Sequence, residues 1–221
     1  MKPLIAAALF FPGTLLAQFE GMIESKNTTI DELGKEQQFT MTIWVKGTNA
    51  KIVNSASGSS PAVTMIYRGD LQALWVINDE EKSYYEMRQG EGFGEGGQSL
   101  SKENRPAIKK TGRTKKILGY PCAQYMVANS GAMTEIWGTR SLPGLAAALA
   151  RAVGQDPEGA QGGWTDEITR LDVYPLQAYT RIEGKIVESH DVTAIRRSTL
   201  QMDMFALPSG YIKQSVNDML K

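Results

Sequence analysis

The sequence predicts a mainly β protein: a curled antiparallel sheet, or incomplete β-barrel, with short helices over its mouth. Three observations carry that expectation. Apolar and polar residues alternate along many short segments, turn sequences join those segments closely, and only two stretches carry helical periodicity.

An apolar leader precedes the sheet. Lys2 supplies a minimal positive region, Leu4 to Phe11 is unbroken apolar, and Pro12-Gly13 interrupts it before Leu15-Leu16-Ala17. A bilayer span needs roughly 20 apolar residues, so residues 1–17 read as a secretory signal peptide cleaved near Ala17. The competing reading, a buried N-terminal helix, lacks a polar face to support it. Residues 18–221 are then expected to form one domain, long enough to bury roughly 70% of its unfolded surface without a disulfide. The expected location is the periplasm or the exterior, with no transmembrane anchor.

The strands follow in order. Phe39, Met41, Ile43 and Val45 fall on one face of a strand, Gly47-Thr48-Asn49 turns the chain, and Lys51-Ile52-Val53 begins the return. Val63 to Tyr67, Leu71 to Ile77 and Lys82 to Met87 come next, joined by Arg68-Gly69-Asp70 and Asn78-Asp79-Glu80. Both connections are turn sequences, so these three strands form an antiparallel meander. Residues 89–105 are rich in glycine and read as a surface loop. Strands resume at Ile108 to Leu118, Cys122 to Ala128 and Met133 to Trp137. Leu142, Leu145, Leu149 and Val153 mark a helix with Ser141 as its cap and Gly154 as its stop. A second Gly-rich loop spans Asp156 to Gly163, and Trp164, Ile168 and Leu171 sit at the spacing of a short second helix. Strands at Gln177 to Ile182 and Lys185 to Arg196 end the pattern. About ten strands in one sheet must curl, because twisted sheets do not stay flat.

Composition narrows the chemistry. The chain has one cysteine, Cys122, and one histidine, His190, which rules out an intramolecular disulfide and argues against a structural zinc site. Formal net charge is +0, which argues against general attraction to nucleic acid. Ser189-His190-Asp191 is not a triad, because strand neighbours point to opposite faces and no Gly-x-Ser-x-Gly elbow is present. His190 is expected on the surface or on an edge strand, and Cys122 is expected as a small buried side chain. Gly92 to Gly97 matches a dinucleotide pattern only formally, since no helix follows and Glu91 and Glu95 would repel a phosphate. Arg68-Gly69-Asp70 reads as a hairpin turn rather than an adhesion motif.

Two features point toward binding. Methionines and aromatics recur in strands, so a cavity wall of Met41, Ile43, Trp75, Ile77, Tyr85, Met126 and Trp137 is expected to hold a lipid or other hydrophobic ligand. The loop over 89–105 and the helix over 142–153 would gate it. Lys109, Lys110, Arg113, Lys115 and Lys116 form a second feature, a docking patch for an anionic head group or an acidic envelope protein, or simply a protected edge strand. No catalytic residue, metal ligand or cofactor site is identified, and an enzyme is not expected.

Short segments then suggest a family. Phe19-Glu20-Gly21-Met22-Ile23, Met41 to Gly47, Gly119-Tyr120-Pro121-Cys122-Ala123-Gln124-Tyr125, Glu135-Ile136-Trp137 and Phe205 to Tyr211 follow one another in an order that resembles a family of exported bacterial proteins of unknown function, related to the lipoprotein-carrier (LolA/LolB-like) fold. The resemblance spans nearly all of residues 19–213. It implies an incomplete antiparallel barrel, helices over its mouth and an apolar cavity for acyl chains. It transfers no lipoprotein transport, and no carrier ligand residue maps onto this chain.

Overall fold

Two meanders joined along one seam make up the sheet. The computed structural model describes residues 18–31, 33–56, 62–88, 107–129, 131–152 and 164–215. The expected signal peptide and both Gly-rich loops lie outside the described residues.

The first meander contains β1 (Gly21–Ile30), β2 (Glu36–Lys46), β3 (Asn49–Ala56), β4 (Val63–Arg68), β5 (Ala73–Asn78) and β6 (Ser83–Arg88). The second contains β7 (Ala107–Ile117), β8 (Tyr120–Asn129), β9 (Ala132–Thr139), β10 (Tyr174–Ile182) and β11 (Lys185–Arg197). Between β9 and β10 come α1 (Leu145–Ala152) and α2 (Trp164–Arg170). A 3-10 turn (Met202–Phe205) and β12 (Ile212–Gln214) end the chain. The order across the sheet is β12-β6-β5-β4-β3-β2-β1-β11-β10-β9-β8-β7, with β1 against β11 as the seam. Every pair is antiparallel except β12 beside β6. The sheet is curled and unclosed, with β12 and β7 as its edges.

The expected architecture therefore stands, with three corrections of detail. β1 was not anticipated, because its inward positions run Ile23, Ser25, Asn27 and break the apolar alternation; all three are buried. The first helix begins at Leu145 rather than Leu142: Pro143-Gly144 form a turn, and the Gly144 amide donates to Asp172 Oδ1 at 2.9 Å. Ser141 is therefore not its cap. Leu71 and Gln72 belong to the turn before β5, where Gln72 has φ 49°.

Register assigns the faces. Ile23 pairs with Ile43, Ile43 with Ile52, Ile52 with Met65, Met65 with Val76 and Val76 with Tyr85, so these residues share one face. That face packs against Leu142, Leu145 and Ala148 beneath α1, and farther along Tyr125, Ile136 and Ala178 pack against Ile168 of α2. On the opposite face Ile66, Ala73, Trp75 and Ile77 are covered by Leu200 and Phe205. Each large apolar side chain buried in this way contributes about 1.5–3 kcal/mol. A polar clasp holds the second cover in place: Glu20 Oε1 accepts from Lys46 Nζ at 2.8 Å and from the Leu200 amide at 2.7 Å.

Candidate functional site

A pocket of about 260 Å³ lies between the sheet and the two helices. Its floor is Met41 and Ile43 of β2 with Ile52 of β3, and Tyr174 and Pro175 of β10 close one side. The roof comes from Ala146, Leu149 and Ala150 of α1 and from Thr165, Ile168 and Thr169 of α2. Positions 146 and 150 are one helical turn apart, so two alanines face the same space and leave it unfilled. Asn27, Glu188 and His190 supply polar groups along the seam side.

His190 corrects the sequence expectation. It sits on β11, a central strand, and pairs across the seam with Asn27 rather than standing at an edge. Its Nδ1 lies 2.7 Å from Asn27 Oδ1, and Asn27 Nδ2 donates to Ser25 Oγ at 3.3 Å. The residue as a whole is half-buried, but its Nε2 is sealed from solvent and has no hydrogen-bond partner among the described residues. Burial holds the imidazole below its ordinary pKa; Asp191 and the Pro175 carbonyl oppose that shift without overcoming it. The seam pattern misled because the bulge at Glu24/Ser25 and the polar pair Asn27–His190 hide an inward face behind hydrophilic letters. A polar residue in step with Ile23 and Met41 was the signal available for finding it.

The seven expected wall residues divide. Met41 and Ile43 line the pocket. Tyr85 shares their face at the far end of the Ile43–Val76 row. Trp75 and Ile77 alternate with Val76 and therefore face the other way, into the cluster under Phe205. Met126 pairs with Glu135, and both alternate with Tyr125 and Ile136 of the α2-covered cluster, so Met126 lies on the opposite face. Trp137 belongs to the buried cluster that includes Ile43 and Leu145 but does not line the pocket; its Nε1 donates to Glu135 Oε1 at 2.9 Å, and Lys115 Nζ lies 4.2 Å from its ring centre. Burial pushes the Glu135 carboxyl up, but donation from Gln124, Trp137 and Arg181 outweighs it and leaves the pKa low. Alternation identified inward-facing rows correctly but could not say which of two covered faces each row met.

The basic strand is β7, an edge. Lys109, Lys110, Arg113, Lys115 and Lys116 are all exposed, and no carboxylate among the described residues pairs with them. Lys109 pairs with Met126 and Lys110 with Tyr125, so neighbouring cations point to opposite faces of the sheet. A bulge between Lys110 and Thr114 breaks the ladder. Cations and a bulge on an exposed edge are both devices against edge pairing.

The remaining motifs are structural. Arg68 grips Asp70 through Nε at 2.7 Å and Nη2 at 2.6 Å, which folds the tripeptide into its turn. Any side chain at Gly69 would collide with Thr48. Cys122 is buried, and burial raises its thiol pKa. Among the described residues no His, Cys, Asp and Glu side chains cluster as a metal site, and no helix is long and apolar enough to cross a membrane.

Residues 19–211 match the family described as "Domain of unknown function (DUF4412)". The chain belongs to this family. No curated protein matches it. Similar solved structures include an uncharacterized conserved protein from Thermus thermophilus, 10% identical with a TM-score of 0.49, covering 89% of this chain and 91% of that one. A LolA superfamily protein from Nitrosomonas europaea is 9% identical with a TM-score of 0.40, covering 86% of this chain and 91% of that one. PNGF-II is 13% identical with a TM-score of 0.43; the match covers 91% of this chain but only 32% of that longer one. The family of unknown function agrees with the resemblance read from the sequence, and a LolA superfamily protein is among its structural neighbours. Likeness at these scores carries no argument about activity.

Proposed function

We propose that this family member is an exported, non-enzymatic protein that binds a lipid or another hydrophobic ligand in the pocket between the sheet and the two helices. The observation that carries the reading is the pocket itself: about 260 Å³ walled by Met41, Ile43, Ile52, Leu149 and Ile168, with Asn27, Glu188 and His190 along one side. Ligand sites of this kind are concave and mostly apolar, with a few placed polar groups, and this one lies just below their usual lower size of about 300 Å³. The volume suits one short acyl segment or a small apolar molecule.

Native mass spectrometry of protein recovered from its host should show a bound apolar molecule, and a fluorescent acyl probe should compete for the same site. Absence of both sinks the reading. The non-enzymatic part has its own test, because His190 stands at the pocket. Turnover of a panel of acyl esters that disappears in His190→Gln would replace binding with catalysis.

The exposed cations of β7 favour a second reading, an envelope interaction module in which the pocket is incidental. Reversing all five charges should then abolish cross-linking to a partner while leaving the fold intact; an unchanged set of cross-links counts against it.

A further inference from the structure

Nine large apolar side chains stand exposed among the described residues, and their positions are not scattered. Leu33, Val63, Met133, Ile182, Ile186 and Ile212 lie at the end of the sheet where β1 stops and β2 starts, leaving only Leu71, Leu118 and Met202 elsewhere. Single exposed apolar residues need no explanation, but a gathering at one rim does. Four of them occupy three consecutive hairpin ends, those of β1–β2, β10–β11 and β8–β9. The pairs Thr29–Glu188 and Arg181–Met133 set these ends side by side.

Leu33 is the extreme case, 94% exposed on a turn that is firmly tied. Asp31 Oδ1 accepts from the amides of Leu33 at 3.0 Å and Lys35 at 2.8 Å, and the Asp31 carbonyl accepts from Gly34 at 2.9 Å. The chain thus gives up conformational freedom to hold a large apolar side chain in water, with no folded contact in return. The rim also adjoins the pocket: Asn27 and Glu188, which line it, lie within a few residues of the β1 and β11 ends.

We propose that this rim is a docking surface for a lipid membrane, with Leu33, Ile182, Ile186 and Met133 entering its interfacial layer. A protein partner would need a continuous patch of about 800 Å² on this side. Here the apolar side chains come from the tips of three neighbouring hairpins, with Asp31 and Lys35 flanking Leu33 and Glu183 and Lys185 between Ile182 and Ile186, an arrangement that a fluid lipid surface accepts without shape complementarity. Charge does not drive the contact, because Asp31 and Glu183 stand beside Lys35 and Lys185 at the tips. Docking rests on the ligand reading only for its purpose: it would bring the pocket to the surface from which an apolar ligand is drawn.

Flotation with phosphatidylcholine vesicles tests this on residues 18–221, which hold every described strand and helix and the whole family match. The protein floats with the vesicles equally at about 0.1 M and about 1 M salt, where charge contacts differ widely in screening. Leu33→Asp weakens flotation about tenfold, and Leu33→Asp with Ile186→Asp removes it, with circular dichroism and acyl-probe affinity unchanged. Failure of the wild type to float overturns the proposal, and so does flotation confined to anionic vesicles and lost in high salt, or flotation of the double variant at the wild-type level. Flotation without acyl-probe binding supports docking while removing the ligand reading alone.

Discussion

The two faces of this sheet share the same strands but are covered differently. Beneath α1 and α2 the roof presents Ala146, Ala150, Thr165 and Thr169, and a pocket remains. On the other face the chain after β11 lays down Leu200, Met204, Phe205 and Leu207 against Ile66, Trp75 and Ile77; Phe205 is wholly buried and the strands are packed over. Both faces alternate equally well, so alternation does not decide where space is left. The size of the covering side chains does.

The packed face is the one to break hardest. Phe205→Ala should lower unfolding free energy by about 3–5 kcal/mol in urea titrations, because a filled site cannot collapse around a missing ring. A loss below about 1 kcal/mol would mean that this face also has slack. On the roomy face the effect should be far smaller: Ala150→Leu adds bulk where space exists, so stability should stay within about 1.5 kcal/mol of wild type. The same variant should weaken acyl-probe binding by at least about tenfold, one buried side chain's worth of occupied space. Greater destabilisation with unchanged probe affinity would show that the roof is tighter than its residues suggest.

The smallest contrast is in pH. The His190 imidazole is held below its ordinary value of 6.5 by burial, with Asp191 and the Pro175 carbonyl opposing and Glu188 on the same pocket wall. Between its folded value and 6.5 the unfolded chain binds a proton that the folded chain refuses, so stability falls as pH drops through that window and is flat above it. Thermal melts should show this slope, and His190→Gln should remove it. Glu20, Asp70, Glu86 and Glu135 are lowered carboxylates whose losses begin only as pH falls below their ordinary values of 4.5 and 3.8, so a slope between 4.5 and 6.5 belongs to His190. A slope near neutrality that survives His190→Gln would assign it to another group.

Much of this was legible beforehand. Clean alternation along Phe39 to Val45 fixed β2 and its inward face, and the turn chemistry at Arg68-Gly69-Asp70 and Asn78-Asp79-Glu80 fixed a meander. What stayed hidden has physical causes. β1 presents Ser25 and Asn27 inward, so its sequence hides a buried strand. Three-residue β12 is defined by its neighbour β6, not by its own letters. For the site, Met41 and Ile43 could be found by periodicity, whereas Ala146, Ala150 and Thr169 matter by being small, and smallness facing a void leaves no mark in a hydropathy pattern. Trp75, Ile77 and Met126 lie away from the pocket, because large apolar residues signal burial without naming the partner that buries them.

The seam between β1 and β11 also sets a timetable. Gly21 pairs with Arg197, so a strand at the start of the domain finds one of its neighbours only when nearly all of the chain is present. Each meander can assemble from near neighbours, but joining them requires closing a loop of most of the chain, and such long-range pairing is slow. A chain delivered amino end first therefore keeps β1 half-paired until the last long strand arrives. Completion of the pocket, which draws on both meanders, is a late event of folding rather than an early one.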